Sequence, residues 1–299
     1  MRVAVVFNPK SGRGRAGEVF AAVRAALIAD GHSVIGVSPC APDALARATA
    51  GCDVLVAVGG DGTCNLSAAA CARNGAALLT YPAGTENLLA RELRSSADAN
   101  EIARQLREDA PSPIDLGEVA GATFAVMCGI GPDAGVTQRL TQRRRGAISH
   151  LSYLRPIFEE ALAPNLPALH VSVDGRVLVD GERGMLIIAN CRRYALGINP
   201  APEARMDDGL LDVVFMPAAS TLAALAWLLQ SRAGTHVDRA SLRVARAARV
   251  EIRSDRDAAF QLDGDPASVS CPAIPLLRAG ATLCVNVRPA SVRVYRRSV

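Results

Sequence analysis

Residues 54–66 read VLVAVGGDGTCNL, and this stretch decides the fold of the first third of the chain. Five apolar residues predict a buried strand, three glycines permit a tight turn, and a helix is predicted over 65–73. A glycine turn between a strand and a helix is typical of anion sites, because backbone N–H groups and the helix N-terminus attract negative charge. Asp61 is the unexpected residue here, since a carboxylate in such a turn repels phosphate.

The same alternation of strand, turn and helix extends from residue 3 to residue 108. Apolar runs predict strands at 3–7, 34–37, 54–58 and 77–81, and helical spacing predicts helices at 17–29, 42–49, 65–73, 86–93 and 100–108. Short loops between alternating elements predict a parallel sheet covered on both faces by helices.

The pattern changes near Pro111-Ser112-Pro113, after which strand-like runs dominate. Strands are predicted at 123–128, 169–173, 176–179, 185–190, 211–215, 249–252, 258–262 and 282–287, with helices at about 148–162 and 219–231. The Asp174-Gly175 pair predicts a tight hairpin. We therefore expect an α/β nucleotide-binding domain over 1–117, a β-rich domain over 118–287, and a C-terminal strand over 288–299 that could return to the first domain.

The composition indicates a packed protein of the cytoplasm. Half of the 299 residues are hydrophobic, and the eight cysteines form neither a C-x-x-C pair nor a zinc pattern. The net charge of +4 does not predict a nucleic-acid partner. The opening MRVAVVF lacks a signal-peptide pattern, and no apolar run reaches the roughly 18 residues of a membrane span.

Two further glycine loops follow predicted strands. The loop over 8–17 contains a G-x-G-x-x-G match with Lys10, Arg13 and Arg15 nearby, and the loop over 81–87 reads YPAGTEN. A dinucleotide site is one alternative for the first loop, although no carboxylate follows the second strand where that site needs one. Because parallel strands end at the same edge of a sheet, three such loops favour nucleotide binding.

Asp61 has two alternative explanations within this pattern. GGDGT lacks the lysine of a Walker A loop, so a nucleotide there would bring Mg²⁺, which a carboxylate can hold directly or through water. The alternative is an ordinary strand–helix turn in which Asp61 caps the helix.

Several motifs together resemble the catalytic fold of the diacylglycerol kinase family. They are NPKSG (8–12), GGDGT (59–63), PAGTEN (82–87), GIGPDA (129–134), MDDGLLD (206–212) and QLDGD (261–265). The family includes bacterial lipid kinases and sphingosine and ceramide kinases, and it is distantly similar to NAD kinase and 6-phosphofructokinase. The resemblance covers nearly the whole chain and implies a Rossmann-like α/β domain followed by a β-rich, sandwich-like domain.

The resemblance also implies a set of ligand-binding residues. Those implied for ATP are Asn8, Ser38, Gly59, Gly60, Asp61, Gly62, Thr63, Asn65, Gly84 and Thr85. Asp61 would organise Mg²⁺ near the phosphates. A second, structural metal site would use the Asp208 carboxylate and the backbone carbonyls of Arg205 and Leu210.

The base for phosphoryl transfer is implied to be Asp265, where the family has the glutamate of Asp-Gly-Glu. Asp263 and Asp133 could share this role. The function predicted is an ATP- and Mg²⁺-dependent lipid kinase acting on a hydroxyl such as that of diacylglycerol. The alternatives are a kinase for a sphingoid base or another alcohol, and a nucleotide- or lipid-binding regulator that has lost the chemistry.

The sequence leaves the oligomeric state open, a homodimer included. We expect peripheral membrane contact, and Arg143-Arg144-Arg145 is one candidate for it, with a solvated loop as the alternative.

Overall fold

A computed structural model describes residues 1–8, 16–132, 134–137 and 166–297 of the chain. The chain divides into two compact units. The first contains residues 1–114 together with those from 290 onward, and the second contains Asp115–Pro289.

The first unit is built on a parallel sheet whose strands are those predicted from the apolar runs. Its strands are β1 (Arg2–Phe7), β2 (Ser33–Val37), β3 (Val54–Gly59) and β4 (Ala77–Pro82). Its helices are α1 (Ala16–Ala29), α2 (Pro42–Ala48), α3 (Asp61–Asn74), α4 (Leu88–Glu92) and α5 (Ala99–Glu108). The strands pair in the order β2, β1, β3, β4, all in parallel.

Strands β1, β3 and β4 are largely buried because they carry apolar side chains on both faces, whereas β2 at the edge of the sheet is mostly exposed. Every residue of β3 is buried. On one face, Val23 and Leu27 of α1 and Ile102 and Leu106 of α5 pack against the sheet to form the core of this unit. Burial of this kind contributes about 1.5–3 kcal/mol for each large aliphatic side chain.

Helix α3 begins at Asp61, four residues earlier than the sequence predicted. Gly60 is its N-cap with extended backbone angles, so Asp61, Gly62 and Thr63 belong to the first helical turn. The prediction treated these residues as a loop because glycine disfavours helix. The turn between β3 and α3 is therefore very short.

The second unit is β-rich, as expected. Its strands are β5 (Ser112–Val119), β6 (Ala122–Phe124), β7 (Met127–Ile130), β8 (Ala168–Val173), β9 (Arg176–Ala189), β10 (Leu211–Pro217), β11 (Arg243–Ala247), β12 (Arg249–Ser254), β13 (Phe260–Leu262), β14 (Asp265–Pro266) and β15 (Thr282–Val294). The helices of this unit include α6 (Thr221–Ala233) and α7 (Ala267–Ser270). The boundaries between the units fall within β5 and β15.

One long strand, β9, replaces the two strands predicted at 176–179 and 185–190. Its first part pairs with β8, and its second part pairs with β7 and β10. The prediction was wrong because the polar residues between the two apolar runs were taken for a loop, whereas they continue the pairing. The hairpin between β8 and β9 is confirmed, since Asp174 and Gly175 both have positive φ and Val173 pairs with Arg176.

The core of the second unit contains Phe124, Phe215 and Phe260, all almost completely buried. Together with the first unit, these strands confirm the predicted fold class of an α/β domain and a β-rich, sandwich-like domain. Strand β11 was not predicted, because its sequence RVARA carries arginines between its apolar residues. The helix predicted at 148–162 lies outside the described residues.

The last residues of β15 lie beside β4 within the first unit. Val294 pairs in parallel with Leu78, and the Tyr295 amide donates to the Leu78 carbonyl at 2.9 Å. In the part of the chain that the structure describes, no helix is long and apolar enough to cross a membrane.

Gly117 of β5 offers a test of this packing. A Cβ atom at Gly117 would lie 2.0 Å from the ring of Phe124, which is its partner across the β5–β6 pair. We expect Gly117→Ala to lower the free energy of unfolding by about 1–3 kcal/mol through overpacking, as measured by urea denaturation.

The double variant Gly117→Ala/Phe124→Leu is the control. The smaller side chain gives the new methyl group room, so the two changes should be less destabilising together than their separate effects predict. If the two effects on the free energy of unfolding simply add, the Phe124 ring is not the reason that position 117 requires glycine.

Candidate functional site

Two glycine loops lie side by side at the carboxyl edge of the parallel sheet. Gly59 at the end of β3 pairs with Pro82 at the end of β4, so the loops that follow begin next to each other. Asn8 follows β1 and Ser38 follows β2 at the same edge. The carboxyl edge is where open α/β sheets bind ligands.

The backbones of the two loops touch at a pair of glycines. A Cβ atom at Gly84 would lie 2.4 Å from the Cα of Gly60, which is closer than nonbonded carbon atoms approach. The Ala83 amide also donates to the Gly59 carbonyl at 2.9 Å. Glycine at both positions is what allows the loops to meet.

The Asp61 carboxylate fastens the second loop to the first. It accepts hydrogen bonds from the backbone amides of Asn87 at 3.0 Å and Leu88 at 2.5 Å. Burial raises the pKa of Asp61 above its usual value, and the amides of Leu88 and Asn87 oppose this shift by stabilising the ionised form. The carboxylate therefore has a structural task in this turn, and its predicted role toward Mg²⁺ stays a prediction.

The other residues predicted to bind the nucleotide fall into two groups. Gly59 and Thr63 are buried, and a Cβ atom at Gly59 would lie 2.5 Å from the Thr63 hydroxyl. These two residues pack closely against each other inside the turn between β3 and α3. The accessible residues, exposed or half-buried at the same edge of the sheet, are Asn8, Ser38, Gly60, Gly62, Asn65, Gly84 and Thr85.

Most of the first glycine loop lies outside the described residues, including Lys10, Arg13 and Arg15. Gly17, the last glycine of the G-x-G-x-x-G match, is described and lies in α1. A Cβ atom there would have no neighbour within 4 Å, so this glycine is not required by close packing.

In the second unit, the two aspartates of LDGD occupy different environments. Asp263 is buried and accepts backbone hydrogen bonds from Ala125 at 2.7 Å, Val126 at 2.8 Å and Met127 at 2.9 Å. Three amide donors hold this carboxylate in place. Asp263 thus positions the turn between β13 and β14, in a backbone conformation with φ of 50°.

Asp265 is the more accessible of the two carboxylates, since it is half-buried. Its backbone is fixed because it pairs with Leu262 across the hairpin and its carbonyl accepts the Ser270 hydroxyl at 3.2 Å. The Gln261 side chain also accepts the Gly264 amide at 2.6 Å. A half-exposed carboxylate on a rigid turn suits proton transfer better than one held by three amides. Asp133, the third predicted candidate, lies outside the described residues.

Asn190 and Asp115 support this region, and the sequence did not assign them a role. The Asn190 side chain is fully buried and donates to the carbonyls of Asp115 and Ala125, both at 2.9 Å. The Asp115 carboxylate accepts the Gly209 amide at 2.7 Å. The sequence offered one signal for such a role, which is a polar residue inside or at the end of an apolar run. A buried polar group needs hydrogen-bond partners.

The turn predicted to hold a structural metal already contains an ion pair. Asp208 accepts the Leu210 amide at 3.1 Å through one oxygen, and its other oxygen pairs with the Arg246 guanidinium. Arg246 also lies 3.7 Å from Asp212, whose Oδ2 is buried without a hydrogen-bond partner in the described part of the chain. Burial raises the pKa of Asp212, while Arg246 lowers it.

These contacts bear on whether the turn suits a cation. Across the described ranges, no three His, Cys, Asp or Glu side chains converge to hold a metal ion. The oxygen atoms of Asp208 and of the Arg205 and Leu210 carbonyls are of the type that Mg²⁺ prefers. A cation there would have to displace Arg246 from Asp208.

Comparison with known proteins gives the same assignment for both units. Residues 2–119 match the diacylglycerol kinase catalytic domain, and residues 126–296 match the YegS C-terminal NAD kinase beta sandwich-like domain. A protein from Pseudomonas syringae pv. tomato named "Probable lipid kinase YegS-like" is 34% identical over 248 residues, covering 81% of this chain and 75% of its own length.

Two further proteins extend the similarity. A diacylglycerol kinase from Bacillus subtilis is 25% identical over 278 residues, covering 88% of this chain and 89% of its own length. The crystal structure of a diacylglycerol kinase from Bacillus anthracis has a TM-score of 0.69 and 16% identity, covering 99% of this chain and 97% of the other, which supports the fold.

A chain with this fold and these glycine loops is a phosphotransferase with an alcohol group as acceptor. It belongs to the YegS and diacylglycerol kinase family of lipid kinases, as the sequence motifs indicated.

Gly84 provides a direct test of the loop contact. We expect Gly84→Ala to weaken nucleotide binding by about tenfold or more, because its methyl group forces the two loops apart and displaces the backbone predicted to hold the phosphates. Isothermal titration with ATP measures the effect. Gly17→Ala is the matched control, since its methyl group enters open space, and it should bind ATP like the wild type. An equal loss of ATP affinity in both variants would show that ATP binding does not depend on the contact between Gly60 and Gly84.

A substitution of Asp263 tests how the turn between β13 and β14 is supported. In Asp263→Asn an amide group faces backbone donors, so we expect unfolding free energy to fall by about 1–3 kcal/mol. Hydrogen exchange should accelerate within residues 125–127, at the amides whose acceptor oxygen is replaced by the NH₂ group. Unchanged exchange at those three amides would show that the carboxylate does not hold them.

Proposed function

We propose that this protein is an ATP-dependent lipid kinase that transfers the terminal phosphoryl group of ATP to a hydroxyl group of diacylglycerol or a related lipid. The observation that carries the proposal is the backbone contact between Gly60 and Gly84 in a member of the lipid kinase family. The contact sets the loop over 82–87 beside the N-terminus of α3, and the N-terminus of a helix favours the negative charge of a nucleotide's phosphates.

The accessible loop residues support binding and orientation of the nucleotide. The hydroxyl of Thr85 and the side chain of Asn65 can donate to phosphate oxygens, and Ser38 and Asn8 lie at the same edge of the sheet. Catalysis of phosphoryl transfer depends mainly on positioning and electrostatics, so a preorganised backbone is the main requirement. Asp61 maintains that backbone through the amides of Asn87 and Leu88.

Asp265 is the proposed general base. The lipid hydroxyl oxygen forms the new bond to the γ-phosphorus of ATP, the bond to the β–γ bridging oxygen breaks, and ADP leaves. The hydroxyl proton passes to the Asp265 carboxylate, directly or through one water molecule. Asp263 accepts three backbone amides and positions the turn.

Mg²⁺ is proposed as the cofactor that arrives with the nucleotide. When bound, it neutralises charge on the β- and γ-phosphates. Asp61 is the carboxylate closest in sequence to the proposed phosphate surface, and its remaining lone pairs can hold the ion or its water molecules.

The acceptor is proposed to be diacylglycerol because one relative carries the name diacylglycerol kinase and others are named lipid kinases. A sphingoid base or another alcohol is the alternative within the same chemistry. A regulator without catalysis is a different alternative, favoured by the presence of aspartate at position 265 where the family pattern has glutamate.

Substitution of Asp265 tests the proposed chemistry. Asp265→Asn should lower the rate of phosphate transfer from radiolabelled ATP to diacylglycerol by about 10²–10⁴-fold, the usual contribution of a general base. ATP affinity should stay unchanged. Asp265→Glu is the matched variant, because it keeps the carboxylate and restores the family residue, and it should retain activity.

A screen of lipid extracts with the wild-type protein identifies the acceptor. If a different lipid is labelled and this labelling is lost in Asp265→Asn, that lipid is the acceptor in place of diacylglycerol. The proposed role of Asp265 in phosphoryl transfer would then stand. Intact ATP binding with no labelled product in any extract would contradict the kinase proposal and support a regulator.

A further inference from the structure

Helix α4 directly follows the loop over 82–87, and it is too short to hold its own position. It contains five residues, Leu88–Glu92. A helix of this length is not stable by itself in water, because the cost of forming its first turn is offset by too few hydrogen bonds. The position of α4 therefore depends on its packing against α3 and β4 and on the contacts made by its two ends.

The N-terminal end of α4 is joined to the contact between Gly60 and Gly84. Asn87 is the N-cap residue of α4, with φ of 51°. Its side chain accepts the Gly84 amide at 2.7 Å and donates to the Gly84 carbonyl at 2.9 Å. Its backbone amide donates to Asp61 at 3.0 Å. A movement of this end of α4 therefore moves Gly84, which lies against Gly60.

The C-terminal end of α4 is held by the last residues that the structure describes. Leu93 is the C-cap residue of α4 and is 2% exposed. Its carbonyl accepts a hydrogen bond from the backbone amide of Arg297 at 3.2 Å. Carbonyl groups at the end of a helix have no partner within the helix, so a buried one needs a donor from elsewhere. Arg297 supplies that donor.

Residues 295–297, which we name the C-terminal segment, are themselves fixed to the first unit. Val294 pairs with Leu78 of β4, and the Tyr295 amide donates to the Leu78 carbonyl at 2.9 Å. Tyr295 is buried in the core of the first unit. The C-terminal segment thus begins beside β4, the strand that precedes the loop over 82–87, and ends at the far end of the helix that follows this loop.

The Arg297 side chain adds an ion pair, whose contribution is small. Its guanidinium lies 2.5 Å from the Glu101 carboxylate, but the two side chains are 35% and 38% exposed. Exposed ion pairs contribute little because water and salt screen the two charges. Glu101 also pairs with Arg104. The backbone amide of Arg297 is therefore the main link between the C-terminal segment and α4.

We propose that the C-terminal segment is a positioning element for the nucleotide site. Through the Arg297 amide it holds the C-terminal end of α4, and it thereby sets where the loop over 82–87 lies relative to α3. This inference rests on the proposed function, since the loop that is positioned belongs to the proposed ATP site. Asp61 holds one end of α4 and the C-terminal segment holds the other, so the loss of either leaves the helix fixed at one end.

Substitutions at position 297 separate the backbone amide from the side chain. Arg297→Pro removes both the N–H group and the charge, whereas the matched control, Arg297→Ala, removes only the charge. Arg297→Lys is the conservative variant, because it keeps the amide and a positive charge. Isothermal titration measures ATP affinity, and urea denaturation measures the free energy of unfolding.

We expect Arg297→Pro to weaken ATP binding by about fivefold, the effect of losing one hydrogen bond. Arg297→Ala should stay within about twofold of the wild type because the ion pair is exposed, and Arg297→Lys should match the wild type. Hydrogen exchange at the amides of Asn87 and Leu88 should accelerate in the proline variant alone, although both amides keep Asp61 as their acceptor.

A truncated pair keeps the test decisive if Arg297→Pro does not fold. A chain that ends at Arg296 then replaces the proline variant, and a chain that ends at Arg297 is its control. The chain that ends at Arg296 should lose ATP affinity by about fivefold, and the control should bind ATP like the wild type. Equal ATP affinity in the two truncated chains would overturn the inference.

Steady-state kinetics distinguish a positioning role from general destabilisation. We expect the KM for ATP to rise in Arg297→Pro while kcat at saturating ATP stays unchanged, because the loop holds the nucleotide in the ground state and the transition state alike. A lower free energy of unfolding with wild-type ATP affinity and KM would overturn the inference, since the contact would then only stabilise the fold. Equal losses of ATP affinity in the alanine and proline variants would also overturn it, because the side chain would then be responsible.

Lipid labelling separates this inference from the proposed function. ATP binding that weakens in Arg297→Pro but not in Arg297→Ala, in a protein that labels no lipid, would support the positioning role and contradict the kinase proposal. Lipid labelling with the same KM for ATP in the wild type and Arg297→Pro would support the kinase proposal and overturn the positioning role.

Discussion

The contact between the backbones of Gly60 and Gly84 is the constraint on which the candidate site depends. The pairing of β3 with β4 brings the two loops to the same edge of the sheet, and the absence of side chains lets them meet. Asp61 then holds the contact by accepting the amides of Asn87 and Leu88. The glycines thus serve close approach as well as turn formation, and the carboxylate holds the two loops of the candidate site together.

Burial assigns different tasks to carboxylates that look alike in the sequence. Asp263 and Asp265 are two residues apart, yet one is held by three backbone amides and the other is half-buried on a rigid turn. A carboxylate saturated with donors is stabilised as an anion and is a poor base, whereas an accessible one can take a proton. Asp115 and Asp208 are both engaged as well, since Asp115 accepts the Gly209 amide and Asp208 accepts the Leu210 amide and pairs with Arg246.

Much of the fold could be predicted because the strands of the first unit are mainly apolar and glycine loops follow β1, β3 and β4. The sequence was less informative where polar residues continue an element. The start of α3 at Asp61 and the unbroken strand β9 are two such cases, since local preference favoured a loop in both and pairing with neighbours decided otherwise. The supporting roles of Asn190 and Asp115 were not predicted, because their partners lie 65 to 94 residues away in the chain.

The sequence by itself determined the fold class, the order of the glycine loops and the family motifs, since these depend on local periodicity and on residue types at fixed spacing. Only the tertiary structure decided which carboxylates support the loops and which remain accessible, because that depends on burial and on distant hydrogen-bond donors. It also decided that the leucines of α6 face outward. An apolar helix looks the same in sequence whether it is covered by protein or exposed, and only packing around Trp227 distinguishes its two faces.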